Sequence, residues 1–167
     1  MHRLALSCLS ASLIGLASLP ASAALSAADK HFAMEAASGG LAEVQAGQLA
    51  QQRASSPQVR TFGSRMVTDH SQANDDLQQI AQQENLDLPQ QPNSKDKALL
   101  QRLQGLNGTA FDQTYAQAMV RDHQTDIALF RREAQSGQDP GLKAFAQKTL
   151  PILQQHLQMA QQMNTGQ

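Results

Sequence analysis

The sequence predicts an all-α protein, a bundle of four long helices with a long connection between the second and the third. Three observations predict it. The 10 glycines and 6 prolines of the 167 residues gather in short clusters, and the stretches between them are rich in Ala, Leu, Gln, Met and Arg, which favour helix. Within those stretches apolar residues recur at alternating three- and four-residue steps, the spacing that gives a helix one apolar face. Two of the links are tight and one is long, which is the pattern of two helical hairpins joined by a crossover.

Residues 1–23 read as a signal peptide: Arg3, an apolar run over residues 4–19, then the small-residue cleavage pattern Ala21-Ser22-Ala23. The run is too short to span a bilayer, and polar Ser26, Asp29 and Lys30 follow it closely. The mature chain is therefore expected to begin near Ala24, to be periplasmic or secreted, and to keep no transmembrane anchor after cleavage. Residues 24–167 are expected to form a single domain. The one cysteine, Cys8, falls inside the leader, so the mature part must be held by its core or by a ligand rather than by disulfides.

The first helix is expected over about residues 27–54 behind the cap Ser26, with a weak point at Gly39-Gly40. The second opens on Ser56 as cap and Pro57 as first residue and runs to about Asn85. Residues 86–108 contain Pro89, Pro92, Gly105 and Gly108 and form the connection, with a short helix around residues 95–103. The third long helix is expected over residues 109–135 and the fourth over residues 140–163, kinked at Pro151. Met66-Val67-Thr68-Asp69-His70 is echoed 53 residues later by Met119-Val120-Arg121-Asp122-His123, which is compatible with a duplicated hairpin.

The apolar stripes carry the chemistry. The second helix aligns Val59, Phe62, Met66, His70, Ala73, Leu77 and Ile80. The third aligns Phe111, Tyr115, Met119, His123, Ile127, Phe130 and Ala134, and the fourth Leu142, Phe145, Thr149, Ile152, His156, Ala160 and Met163. Each of these helices thus turns one histidine inward. On the first helix Glu43 lies about 20° from Phe32 at 100° per residue, so it shares the inward face. Counted from the tight turns at a rise of about 1.5 Å per residue, all four groups fall at mid-height.

Glu43, His70, His123 and His156 are therefore candidate metal ligands, a set that suits zinc, copper or iron. The alternative is a polar layer in which the imidazoles hydrogen-bond between helices, with Asp69, Asp122 and Glu43 available as partners, and no metal binds. Each mature histidine also has a methionine within about one turn: His31 and Met34, Met66 and His70, Met119 and His123, His156 and Met159. Thioethers beside imidazoles would favour copper, while methionine is equally an ordinary filler of helical cores. Asp69 and Asp122 precede their histidines by one residue and so point about 100° away; pairing is the role expected of them, with Arg65 one turn before Asp69 as its partner.

Charge excludes one large class. Without Arg3 the 13 basic residues become 12, against 14 acidic ones, and both signs are scattered, so nucleic acid is not an expected partner. No Ser-His-Asp order, nucleophilic cysteine or phosphate loop marks an enzyme.

Glu43-Val44, the two Met-Val-x-Asp-His segments, Phe111-Asp112-x-x-Tyr115, and Leu150-Pro151 followed by His156 resemble an exported bacterial family of unknown function, of the DUF4142 type. That family is often labelled outer-membrane protein and is placed among ferritin-like folds. The resemblance spans nearly all of the mature chain and implies a ferritin-like four-helix bundle and export; it implies no activity. Ferritin-like oxidases use Glu-x-x-His on two helices, and no Glu-x-x-His occurs in this sequence, so an oxygen-activating di-iron role is not expected. Two functional readings stand: an exported bundle binding a transition metal through a buried Glu/His layer, or a non-catalytic structural or interaction module of the cell envelope with the same layer and no metal. The sequence names no protein partner and no oligomeric state.

Overall fold

The computed structural model of the chain describes residues 24–165, so the signal peptide expected over residues 1–23 lies outside the described residues. Within them the protein is all-helical, with five helices and no strand: α1 (Ala27–Arg53), α2 (Pro57–Gln83), α3 (Ser94–Gln104), α4 (Gly108–Ser136) and α5 (Pro140–Thr165). None of these helices is long and apolar enough to cross a membrane.

Local chemistry sets the ends. Ser26 accepts a hydrogen bond from the Asp29 amide at 3.1 Å and donates its hydroxyl to the Asp29 carboxylate at 2.8 Å, satisfying amides that the first turn leaves orphaned. Ser56 caps α2 with Pro57 behind it, as the sequence predicts. Asn93 caps α3 through the Asp96 amide at 3.0 Å, and Asp139 caps α5 through the Leu142 amide at 2.7 Å. Helix α2 stops at Gln83, short of the expected end, because Asn85 adopts φ 53°. The amides of Asn85 and Leu86 then fold back onto Gln82 O and Ala81 O at 3.3 and 2.8 Å, the double closure of a left-handed helix terminus.

Gly39-Gly40 does not break α1, which runs through it without interruption. The glycine serves packing instead: a Cβ on Gly40 would run into the side chain of Asn74 on α2. The same close approach recurs nearer the turn, where a Cβ on Gly63 would lie 2.6 Å from Ala50 Cβ, and one on Gly47 2.6 Å from Gly63 O. Helices α1 and α2 therefore meet almost backbone to backbone. Helix α5 continues past Pro151, which lies exposed.

Helix α1 packs along α2 and α4 along α5, with α1 also against α4 and α2 against α5. The α1–α2 pair is antiparallel, since Gly47 meets Gly63 while Gly40 meets Asn74. The long connection returns the chain along the full length of the molecule. Leu88 packs in one half of the core while Leu100 and Leu103 of α3 pack in the other, and α3 lies on α1 and α4. Ser38 anchors the crossing by accepting the Asn93 amide at 2.9 Å. Helix α4 thus starts beside the α1–α2 turn, where the buried Asp112 accepts the amides of Ser55 and Ser56 at 3.2 and 2.9 Å and the Ser55 hydroxyl.

The apolar interior is divided in two. One half gathers Ala42, Ala46, Phe62, Met66, Tyr115, Met119 and Ala160; the other gathers Phe32, Ala37, Leu77, Ile127, Phe130, Phe145 and Leu153. On α2, α4 and α5 the residues of the two halves leave a gap in which His70, His123 and His156 stand, and on α1 Glu43 follows Ala42 at the edge of the half nearer the α1–α2 turn. The stripes are buried as the periodicity predicts except at Ala73, Ile80 and Ala134, which are half-buried, and at Ile152, whose core place Leu153 takes. At about 100° per residue Leu153 stands nearer the line through Thr149, His156 and Ala160 than Ile152 does.

Candidate metal centre

The four inward polar groups of the sequence converge. Glu43, His70, His123 and His156 are all buried, the last two with no exposed surface. The ring centroids of the three histidines form a nearly equilateral triangle with sides of 5.7, 5.4 and 5.4 Å. One nitrogen from each ring lies within 4.8 Å of the others.

The hydrogen bonds fix the role of each ring nitrogen. His70 Nδ1 lies 2.8 Å from Glu43 Oε2, so it donates to that carboxylate. His123 Nδ1 lies 3.0 Å from Met119 O, and a carbonyl can only accept, so this nitrogen too bears hydrogen. His156 Nε2 lies 2.8 Å from Asp69 Oδ2 and donates to it. In each neutral ring the second nitrogen is then a bare lone pair. Those second nitrogens, His70 Nε2, His123 Nε2 and His156 Nδ1, are buried and have no hydrogen-bond partner in the protein.

Glu43 Oε1 is also buried and receives no hydrogen bond. It faces His123 Nε2 at 3.5 Å, so an acceptor oxygen confronts an acceptor nitrogen. Asp126, half-buried on α4, brings a second carboxyl within hydrogen-bonding reach of Glu43.

Protonation follows from this crowding. Burial holds His123 below the usual imidazole range, against the pull of Glu43. Burial also lowers His156, to about 4, although its hydrogen bond to Asp69 opposes this. Both rings are therefore neutral at ordinary pH. Burial alone would raise Glu43, but His70, which donates to it at 2.8 Å, outweighs this and holds the carboxyl below its usual range. Burial and then the Glu43 charge push Asp126 well up, so the proton shared by this carboxyl pair resides on Asp126.

The neighbouring groups settle differently. Asp69 makes the expected pair with Arg65 at 2.7 Å, and it also orients His156 across the bundle at 2.8 Å, as the polar-layer reading allows for an acid beside a buried histidine. Asp122 stays outside the cluster, 3.9 Å from Lys95. Met66 and Met119 pack in the apolar half toward the α1–α2 turn, while Met34 is 37% exposed and His31 is exposed, so that pair stands away from the centre. Asp126 went unread in the sequence; His123-Gln124-Thr125-Asp126 places it one turn beyond a core histidine, and His-x-x-Asp was the signal to find it.

The fold recurs among solved structures. A DUF305 fragment from Deinococcus radiodurans matches with a TM-score of 0.75 at 11% identity, over 87% of this chain and 100% of that one. A DUF305 protein from Streptomyces coelicolor, described as secreted, matches with a TM-score of 0.68 at 14% identity, over 80% of this chain and 88% of its own. At these identities the likeness is one of fold. No curated protein matches this sequence. The model of DUF4142, a domain of unknown function, matches residues 15–163, and the chain belongs to that family.

Proposed function

We propose that this protein is an exported bundle of the ferritin-like architecture that binds one transition metal ion through Glu43, His70, His123 and His156. The observation that carries the reading is the meeting of three buried histidines, each with one nitrogen lacking a partner, with a bare carboxylate oxygen of Glu43 3.5 Å from one of those nitrogens. Buried acceptors that face one another repel, and an uncompensated buried polar atom costs about 1–3 kcal/mol; a cation among them removes both penalties. The dimensions agree. Around a tetrahedral ion with bonds near 2.0–2.1 Å, neighbouring donor atoms stand about 3.3 Å apart and imidazole centroids about 5 Å apart. Glu43 Oε1 and His123 Nε2 are 3.5 Å apart, and the centroids are 5.4–5.7 Å apart.

The remaining ring nitrogens are held as metal-binding histidines are held, by a carboxylate (Glu43, Asp69) or a carbonyl (Met119) that sets the tautomer. Three imidazoles and one carboxylate suit zinc, copper or iron. All four donors are spent on the ion, so the centre binds or buffers metal rather than activating a substrate on an open position. Export with cleavage near Ala24 places it in the periplasm or outside the cell; the secreted description of the Streptomyces coelicolor neighbour supports this.

The second reading, an envelope module with a metal-free polar layer, is favoured by the two 2.8 Å carboxylate–imidazole contacts, which already satisfy half of the ring nitrogens they touch. Elemental analysis of protein purified from the exported fraction separates the two. One equivalent of zinc, copper or iron per chain, lost in His70→Ala, is expected. Metal-free protein that takes up none of the three on addition would leave the polar layer as the function of these residues.

A further inference from the structure

Beside the histidine centre a cavity of about 230 Å³ lies between α1, α3 and α4. Its acidic lining comes from three helices: Glu35 and Glu43 from α1, Asp96 from α3, and Asp122 and Asp126 from α4. Lys95 stands at its edge with its side chain 76% exposed and only a loose 3.9 Å approach to Asp122. The apolar part of the wall combines the small Ala42 and Ala46 with Leu99, Leu100, Met119 and Leu129.

Glu43 is the group common to this cavity and the centre. Its side chain is 7% exposed, it lines the cavity, and its Oε1 receives no hydrogen bond while facing His123 Nε2. A buried carboxylate with one oxygen held by His70 and the other left without a donor, set at the inner end of an acid-lined space, is a landing point for a cation rather than for a neutral or anionic ligand.

The opposite side of the centre is built differently. The groove between α2 and α5 reaches His70 and His156 but encloses only about 50 Å³. Its acids are already matched: Asp69 with Arg65 and Asp76 with Lys148, each at 2.7 Å. Paired charges present little net field, whereas acids lining a low-dielectric cleft concentrate cations at its mouth.

We propose that the cavity between α1, α3 and α4 is the vestibule through which a hydrated divalent cation reaches the buried centre, held in passing by Asp96 and Asp122 and handed inward to Glu43. The inference rests on the metal-binding reading above and adds the route and the class of ligand that the route admits.

The test is the rate of zinc uptake by metal-free protein, followed by stopped-flow competition with a chromophoric zinc chelator at low ionic strength. Neutralising one acid about 8 Å from a dication changes its local concentration about fivefold. Asp96→Asn and Asp122→Asn are each expected to slow uptake by about that factor, and Lys95→Gln to hasten it by a similar factor, with the amount finally bound unchanged. Added salt should flatten all three differences. The groove control, Asp76→Asn, is expected to take up zinc at the wild-type rate. Equal rates in all variants, or a slowing confined to Asp76→Asn, overturn the vestibule while leaving the metal centre standing. A wild type that binds no zinc, copper or iron overturns the metal centre and the vestibule together. Because Lys95 is exposed and its replacement is expected to act in the opposite sense, misfolding cannot imitate the predicted pattern.

Discussion

Replacing His123 with leucine separates what this histidine does for the fold from what it does for a metal. In metal-free protein the imidazole makes one hydrogen bond, Nδ1 to Met119 O at 3.0 Å, worth about 1 kcal/mol, and leaves Nε2 buried without a partner at a cost of about 1–3 kcal/mol. Leucine has similar volume and removes both terms, so metal-free stability should change by less than about 2 kcal/mol. The response to metal should change far more. A ligand at a hundredfold excess over its Kd stabilises the folded state by about 2.7 kcal/mol, and each further tenfold adds about 1.4 kcal/mol. For a chain of this length 1 kcal/mol moves Tm by about 3–4 °C, so saturating zinc should raise the wild-type Tm by about 10 °C. Scanning calorimetry at stepped zinc concentrations measures this directly. His123→Leu should lose most of the rise, whereas Ile127→Val, one turn further along α4 and 8% exposed, should cost about 1 kcal/mol and keep all of it. A wild-type Tm indifferent to zinc, copper and iron, or an equal rise in His123→Leu, would refute the assignment of the centre.

Other consequences follow from groups outside the centre or at its edge. Burial and then the Asp29 charge push Glu133 up to about 7, so between the ordinary glutamate range and pH 7 the folded state holds the extra proton. Its stabilising share is therefore present at low pH and lost as pH rises through 7; Glu133→Gln should abolish that loss and raise stability at pH 8 by about 1–3 kcal/mol in urea melts. Asp69→Asn removes the carboxylate that orients His156 and should weaken zinc binding by about 10–100-fold in chelator competition; unchanged affinity would show that the contact is only structural. Asp112→Ala orphans the amides of Ser55 and Ser56, should cost about 2–3 kcal/mol, and should speed hydrogen exchange at the α1–α2 turn. Gly63→Ala puts a Cβ 2.6 Å from Ala50 Cβ and should cost about 1–3 kcal/mol by denaturant unfolding despite alanine's better helix propensity; a stabilised variant would mean that the helices can part without loss.

Much of this architecture was legible in the sequence because its determinants are local. A cap, a proline at a first helical position and a three- and four-residue apolar step act within one or two turns, so Ser26, Ser56, Pro57 and the stripes through His70, His123 and His156 could be read without partners. Height could also be read, since a fixed rise per residue from two tight turns places Glu43 and the three histidines in one layer. The single break in the core at that layer is the structural trace of the same count.

What the sequence left open depends on neighbours brought together by the fold. Gly39-Gly40 reads as a weak point because a glycine's local property is freedom; only the approach of Asn74 on α2 makes it a packing site. Asp69 reads as a partner of Arg65 or of some buried histidine, and only the position of α5 makes that histidine His156. Asp126 becomes notable only when α1 sets Glu43 against it, since like charges matter through distance and not through order along the chain. The acid-lined cavity is likewise the product of α3 crossing α1 and α4. The sequence by itself determined the helices and which residues each turns inward, because those follow from the periodicity of one rod; the tertiary structure decided which nitrogens were left bare and which acids stood beside them, because those follow from how the rods are set against one another.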